Sequence, residues 1–164
     1  MAEFRIRPAR VAEFAAIGEV TAEAYRRDGF FEVDTGYEAV LRSVAHRAEH
    51  AELMVAVEAD SRVLGSVTVV LPGSEYAEIS GPGELEFRML AVAGEARGRG
   101  IGDALTRAVL DRGRELGLGK VVLSSLDQMR TAHRLYERIG FSRLPERDWS
   151  PHPGVRLVAY EYDL

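Results

Sequence analysis

The feature that most constrains this chain is a glycine-rich turn, Ala96-Arg97-Gly98-Arg99-Gly100-Ile101-Gly102, set between an extended apolar run and a helical one. The first amides of a helix have no intrahelical partner and lie at the positive end of its dipole. Glycines let an anion approach those amides and admit torsions that a side chain resists. Arg97 and Arg99 add charge beside them. Such a turn fits a pyrophosphate, although a tight strand-to-helix turn that binds nothing has the same composition. Two phosphate-binding patterns are excluded. The dinucleotide pattern G-x-G-x-x-G ends on Asp103 when counted from Gly98 and on Leu105 when counted from Gly100. The triphosphate loop needs Gly-Lys followed by Ser or Thr, which is absent. The pattern R/Q-x-x-G-x-G/A is satisfied from Arg97 to Gly102.

Periodicity places this turn in a mixed α/β chain. Phe4 to Arg7 alternates as a strand stopped by Pro8. Phe14, Ile17, Val20 and Ala24 recur at helical spacing and predict a helix over 10–26. A second helix is expected over 37–48, and strands over 53–57 and 63–71 joined by a turn near Asp60-Ser61. A strand over 84–92 puts Leu85, Phe87 and Met89 on one face and Glu84, Glu86 and Arg88 on the other. After the glycine turn, Ile101, Ala104, Leu105, Ala108, Val109 and Leu116 mark an apolar stripe, ended by Gly117 and Gly119. A strand over 120–123, a helix over 130–139 stopped by Gly140, an extended segment 141–144 and a last strand over 155–162 complete a sheet carrying about four helices. The Gly/Pro loops at 72–83 and 150–154 punctuate elements without separating domains. The whole chain, 164 residues with 46% hydrophobic content, therefore reads as one domain, 1–164, with enough apolar surface for a core.

Composition narrows the chemistry. The absence of cysteine excludes disulfides, a thiolate nucleophile and a cysteine zinc site, and fits a cytoplasmic protein. A net charge of −5 argues against nucleic acid as a partner and favours a cationic one. The N-terminus lacks the apolar run of a signal peptide, and no apolar stretch is long enough to span a membrane. His46 and His50 stand four apart, but neither they nor His133 and His152 have an evident third ligand, so no metal is expected.

Three blocks in order carry a family resemblance: Leu90-Ala91-Val92, Arg97 to Gly102, and Arg134-Leu135-Tyr136-Glu137-Arg138-Ile139-Gly140-Phe141. Together they resemble the GNAT acetyltransferase superfamily, whose element order also matches nearly the whole chain. The resemblance implies the GNAT acyl-coenzyme A N-acyltransferase fold, an α/β architecture with a mostly antiparallel sheet splayed at the cofactor site. It implies acetyl-coenzyme A as co-substrate and a primary amine, on a small molecule or a peptide, as acceptor. The backbone at Leu90, Ala91 and Val92 would pair with the pantetheine arm. Amides of Arg97, Gly98, Arg99, Gly100, Ile101 and Gly102 would hold the pyrophosphate, and the Val92 amide would face the thioester carbonyl. Two positions depart from the family pattern. Gly94 stands where many members have proline, which alters loop stiffness. Met129 stands where many have asparagine, which removes a polar contact to the co-substrate. A non-catalytic acyl-coenzyme A binding domain on the same fold is the alternative function.

An amine with a pKa of about 10 must lose a proton before attack, and the leaving thiolate must gain one. The resemblance implies Tyr136 as the acid; periodicity alone reads it rather as a core aromatic beside Leu135 and Ile139. Glu86, six residues before Val92, is the implied base. Alternation alone leaves Glu86 on a solvated face or paired with Arg88, and a water chain through Ser124 or Ser125 is a substitute. His133, three residues from Tyr136, reads as exposed and as a poorer base. The implied acceptor pocket lies after the first helix and at the last strands. Asp28, Glu32, Asp34 and Asp148 there would attract a cation, and Phe30, Phe31 and Trp149 would pack on its apolar part. The alternative is a surface loop whose aromatics turn inward. The last strand, 155–162, reads as an edge available for pairing in a homodimer.

Overall fold

In the computed structural model, which describes residues 3–34 and 36–164, the extended runs become strands of one sheet. The strands are β1 (Phe4–Pro8), β2 (Glu52–Glu58), β3 (Val63–Val70), β4 (Glu84–Val92), β5 (Lys120–Leu126), β6 (Ser142–Arg143), β7 (Trp149–His152) and β8 (Val155–Asp163). Their order is β1-β2-β3-β4-β5-β8-β6, with β7 also on β8. Every pair is antiparallel except β4 with β5. The last strand is therefore not an edge: β5 covers one side of β8, and β6 and β7 cover the other. That removes the expected pairing edge, because its ladder groups are already engaged within the chain. Strand β7 lies outside the expected elements; its Trp-Ser-Pro-His sequence, with a proline inside it, carries no strand signal.

The helices are α1 (Phe14–Arg27), α2 (Phe30–Val33), α3 (Tyr37–Arg42), α4 (Val44–His50), α5 (Ile101–Glu115) and α6 (Arg130–Ile139). Among the described residues they number six rather than about four. The expected helix over 10–26 opens instead with a tight 3₁₀ turn, Val11–Glu13. The Glu13 carboxylate there accepts from the Arg10 amide at 2.8 Å and from Arg7 at 2.9 Å. The expected helix over 37–48 is two helices broken at Ser43, where ψ is 58°. Arg47, 1% exposed, closes that break by donating to the carbonyls of Val40 and Leu41 at 3.2 and 3.1 Å. Leu116 lies past the end of α5 and is 37% exposed, so the apolar stripe stops before it.

Helix α5 lays Ile101, Leu105 and Val109 against Leu64, Leu85 and Phe87 of the sheet. Each such buried side chain contributes roughly 1.5–3 kcal/mol of transfer free energy. Gly65 lets β3 and β4 approach there, since a Cβ at this position would lie 2.8 Å from the Ala91 carbonyl oxygen.

Two irregularities open the sheet beside α5. Strands β4 and β5 pair only at Glu84↔Lys120, Leu85↔Val121 and Glu86↔Val122, then diverge. In β4, Met89 adopts φ +59° and the register with β3 slips between Thr68↔Arg88 and Ser66↔Ala91. This bulge ends the simple alternation expected of residues 84–92 and bends the strand where the two strands part. A non-glycine residue in that conformation costs about 1–3 kcal/mol, so the surrounding packing must hold it. Among the described residues no helix is long and apolar enough to cross a membrane.

Candidate active site

The divergence of β4 from β5 opens a cleft of about 450 Å³. Leu90, Ala91 and Val92 form one wall; Arg97, Gly98, Gly100, Ile101 and Gly102 form its floor at the start of α5. Gly98 and Gly100 have φ of 81° and 82°, and a Cβ added at either meets nothing within 4 Å. Glycine is needed at these positions for torsion rather than for space. Ala93 N–H pairs with the Leu64 carbonyl at 2.7 Å. Antiparallel alternation then turns the N–H and C=O of Val92 the other way, toward the opening. The Val92 carbonyl accepts from Arg27 Nη2 at 2.9 Å.

Charge in the cleft differs from the sequence expectation. Arg97 lines it, but the Arg99 side chain does not. Arg99 Nη1 instead bonds Glu58 at 2.8 Å, and the guanidinium lies over the Phe4 ring. Arg99 thus contributes backbone to the turn while its charge serves the ends of β1 and β2. The compensating charges are Arg130, Arg134 and Arg138, which line the cleft from one face of α6 together with Arg27 from α1. Their i, i+4, i+8 spacing is visible in the sequence and is the signal that would have found them. Asp103 also lines the cleft, with its carboxylate bonded to Arg107 at 2.7 Å.

A second cavity of about 240 Å³ adjoins the cleft, and Asp28, Leu90, Met129 and Ala132 line both. Tyr136 stands in its wall, 6% exposed, edge-on to Phe87 at a centroid distance of 5.8 Å. Its hydroxyl makes no hydrogen bond with any described residue. Burial raises its pKa, with Tyr160 and Asp28 adding to the rise, so the phenol stays protonated at neutral pH. Phe30 packs on Tyr25 and Tyr37 at 5.2 and 4.8 Å and lines the same cavity. Asp34, Ser124 and Ser125 line it as well, and Asp34 Oδ2 lies 3.2 Å from His152 Nε2.

The other acceptor candidates point elsewhere. Phe31 lies under Arg26, and Glu32 is exposed. Trp149 Nε1 donates to Ser124 Oγ at 3.1 Å behind the cavity wall, of which the ring is no part. Asp148 accepts from the Ala159 amide at 2.8 Å and pairs with Arg143 and Arg156. His133 is half-buried rather than exposed, with Nε2 3.1 Å from the Leu126 carbonyl, and burial lowers its pKa. His46 and His50 are exposed, and where the sequence offers them no evident third ligand the loop after β3 brings one within reach. Glu75 Oε1 lies 3.2 Å from each Nε2.

Glu86 is fully buried and lines neither cavity. Its Oε1 accepts the backbone N–H groups of Glu78, Ile79 and Ser80 at 3.0, 3.1 and 3.1 Å. The carboxylate therefore fixes the loop between β3 and β4, and that loop delivers a different acid. The Glu78 side chain, 21% exposed, reaches the acceptor cavity from this loop. Its Oε1 lies 3.2 Å from Arg88 Nε, while Arg88 also donates to the Tyr37 hydroxyl at 2.9 Å and the Tyr76 carbonyl at 3.0 Å. Burial pushes the Glu78 carboxyl up to about 7, opposed by Arg88 and reinforced by Glu86. Glu78 lies in an aperiodic Gly/Pro loop, so no sequence signal marks it.

Among known proteins, the model of the acetyltransferase (GNAT) family matches residues 15–141. An uncharacterised N-acetyltransferase of Schizosaccharomyces pombe is 31% identical over 112 residues, covering 68% of this chain and 64% of that protein. A mycothiol acetyltransferase of Cellulomonas flavigena is 42% identical over 111 residues, covering 62% of this chain and 32% of that protein. The chain thus spans less than two thirds of the length of either relative. A GNAT-family acetyltransferase from Staphylococcus aureus superposes with a TM-score of 0.75 at 15% identity, covering 99% of both chains, which shows a shared fold.

Proposed function

This chain belongs to the GNAT acetyltransferase family, and on that premise we propose that it transfers an acetyl group from acetyl-coenzyme A to a primary amine. The observation that carries the reading is the meeting of two differently built spaces at Leu90: a cleft floored by glycine amides and flanked by arginines, and a smaller cavity walled by aromatics and carboxylates. The first suits a polyanionic co-substrate and the second a cationic acceptor with an apolar body.

In this reading the amides from Arg97 to Gly102 bind the pyrophosphate, and Arg27, Arg97, Arg130, Arg134 and Arg138 balance its charge. Bound acetyl-coenzyme A supplies the activated acyl group as a thioester. The N–H of Val92, turned toward the opening, stabilises the developing oxyanion, which a fixed backbone donor does without reorganisation. Tyr136, kept protonated by its burial, gives its proton to the departing thiolate. Asp28 and Asp34 draw the ammonium into the cavity, and Phe30 packs on its body.

The test is release of free thiol from acetyl-coenzyme A across a panel of amines, beside calorimetric titration of acetyl-coenzyme A alone. Amine-dependent release is expected. Tight binding with no turnover on small-molecule or peptide amines would favour a non-catalytic acyl-coenzyme A binding domain instead.

A further inference from the structure

We propose that Glu78 is the general base that deprotonates the acceptor ammonium, and that Glu86 is the positioning residue that holds Glu78 in place. This rests on the acetyl-transfer reading above and assigns a role within the same site.

Three carboxylates face the acceptor cavity, and their surroundings separate them. Asp34 is engaged with His152 at 3.2 Å. Asp28 stands where cavity and cleft meet; burial raises its pKa, and the neighbouring charges of Arg97 and Arg27 oppose that rise. With two cations at the cleft side and no loop that aims it at the acceptor, it suits an electrostatic anchor. Glu78 reaches the cavity on a loop whose amides at residues 78, 79 and 80 are gathered by one buried oxygen of Glu86. That anchorage fixes the direction from which the carboxylate enters. On the far side Arg88 Nε holds one carboxylate oxygen at 3.2 Å, and Arg88 is itself held by Tyr37 and the Tyr76 carbonyl. A base gripped at both ends loses little freedom when the amine arrives.

Burial sets its titration, with Arg88 and Glu86 from β4 acting on it in opposite directions; Tyr25 from α1 and Tyr37 from α3 lie within reach of its charge, and Asp28, Asp34 and His152 stand elsewhere on the cavity wall. Burial holds the carboxyl near 7, where it both accepts a proton and gives it up under neutral conditions.

The proton balance is complete. Glu78 takes one proton from R–NH₃⁺, leaving R–NH₂. The nitrogen forms a C–N bond to the thioester carbonyl carbon and the C–S bond breaks. The second proton lost from nitrogen ends on the thiolate by way of Tyr136, and Glu78 releases its own to solvent. The products are the amide, free thiol and one proton.

The experiment is the pH dependence of kcat/KM for an alkylamine acceptor in the wild type, Glu78→Gln, Glu78→Asp and Asp28→Asn, with acetyl-coenzyme A affinity and melting temperature measured on each. The wild-type rate should rise through pH about 7 and then level off. Glu78→Gln should lose about 10²- to 10⁴-fold near neutrality while binding acetyl-coenzyme A within about twofold of wild type. Its profile should climb without a plateau toward the amine's own pKa of about 10. Glu78→Asp should keep the plateau at a lower rate, which guards against a Gln variant that fails to fold. Asp28→Asn should raise KM for the amine and keep the plateau. A wild-type profile in folded Glu78→Gln, or loss of the plateau in Asp28→Asn alone, overturns the proposal and leaves acetyl transfer standing. Absence of amine-dependent turnover in the wild type overturns both.

Discussion

Arg27 Nη2 donates to the carbonyl of Val92 at 2.9 Å, tying the last turn of α1 to the end of β4 at the mouth of the cleft. The same guanidinium occupies the space above Gly94, where a Cβ would lie 2.7 Å from Nη1. The residue expected to stiffen this turn is replaced here by a charged hydrogen bond from another element. Arg27→Met should lower kcat/KM for acetyl-coenzyme A about tenfold, the value of one charged hydrogen bond, with little change in melting temperature. Steady-state kinetics with saturating amine checks this, and an unaltered kcat/KM would mean the contact is ornamental to the site.

Gly100 caps α5 with φ 82°. A valine there meets a backbone penalty of about 1–2 kcal/mol and puts its side chain beside the amides that serve the pyrophosphate. Gly100→Val should abolish heat release in titration with acetyl-coenzyme A while circular dichroism still reports a folded protein. Normal binding would detach the glycine turn from the co-substrate.

Removal of the Tyr136 hydroxyl leaves the ring's packing on Phe87 and Phe141 intact. Tyr136→Phe should therefore cut kcat by about 10²-fold or more, with acetyl-coenzyme A affinity within about twofold of wild type. A large loss of affinity or of melting temperature would identify the hydroxyl as structural.

Glu86→Gln replaces a charged acceptor of three amides by a neutral one and leaves an amide nitrogen where Oε2 is buried without a partner. Urea denaturation should show a loss of about 1–3 kcal/mol. The rise of the rate should survive but move to lower pH, because the Glu86 charge helps to raise Glu78. An undisplaced rise would show that the Glu86 charge does not act on the base.

Glu84 holds Arg147 through both carboxylate oxygens, at 2.6 and 3.0 Å, and accepts the Gly81 amide. The hydrogen bond from Arg147 is the largest of the effects that lower its pKa below the usual 4.5. A carboxylate depressed in the folded state contributes stability above its unfolded pKa and loses it as pH falls through the folded one. Melting temperature recorded from pH 7 down to about 3 should fall less steeply in Glu84→Gln than in the wild type. Parallel curves would show that the pair contributes nothing to acid sensitivity.

Much of this site is legible in the sequence because it depends on local grammar. The glycine turn, α6 and the Tyr136 block are each set by residues adjacent in sequence, and the structure keeps them at the expected positions. What escapes a sequence reading depends on contacts between distant segments. Arg99 belongs to Glu58, 41 residues away, so its neighbourhood in sequence misleads about its charge. Glu86 stands out by its offset from Val92, but its burial comes from the loop that folds over it. The last strand looks like an edge because its partners β6 and β7 are short and irregular in composition. Glu78 needs the fold, since only Glu86, Arg88 and the cavity wall give its position meaning.

Three residue pairs join β4 to β5. Mechanically the sheet is two leaves, one ending in β4 and one beginning with β5, stitched at a short seam near Glu84–Glu86 and bridged by α5. Forces that pry the leaves apart concentrate on that seam, while each leaf stays rigid through its own longer ladders. Amide exchange should record this as a line of fast-opening hydrogens along the far end of β4, bordered on both sides by slow ones, and the gap between the leaves sets the gauge for whatever enters.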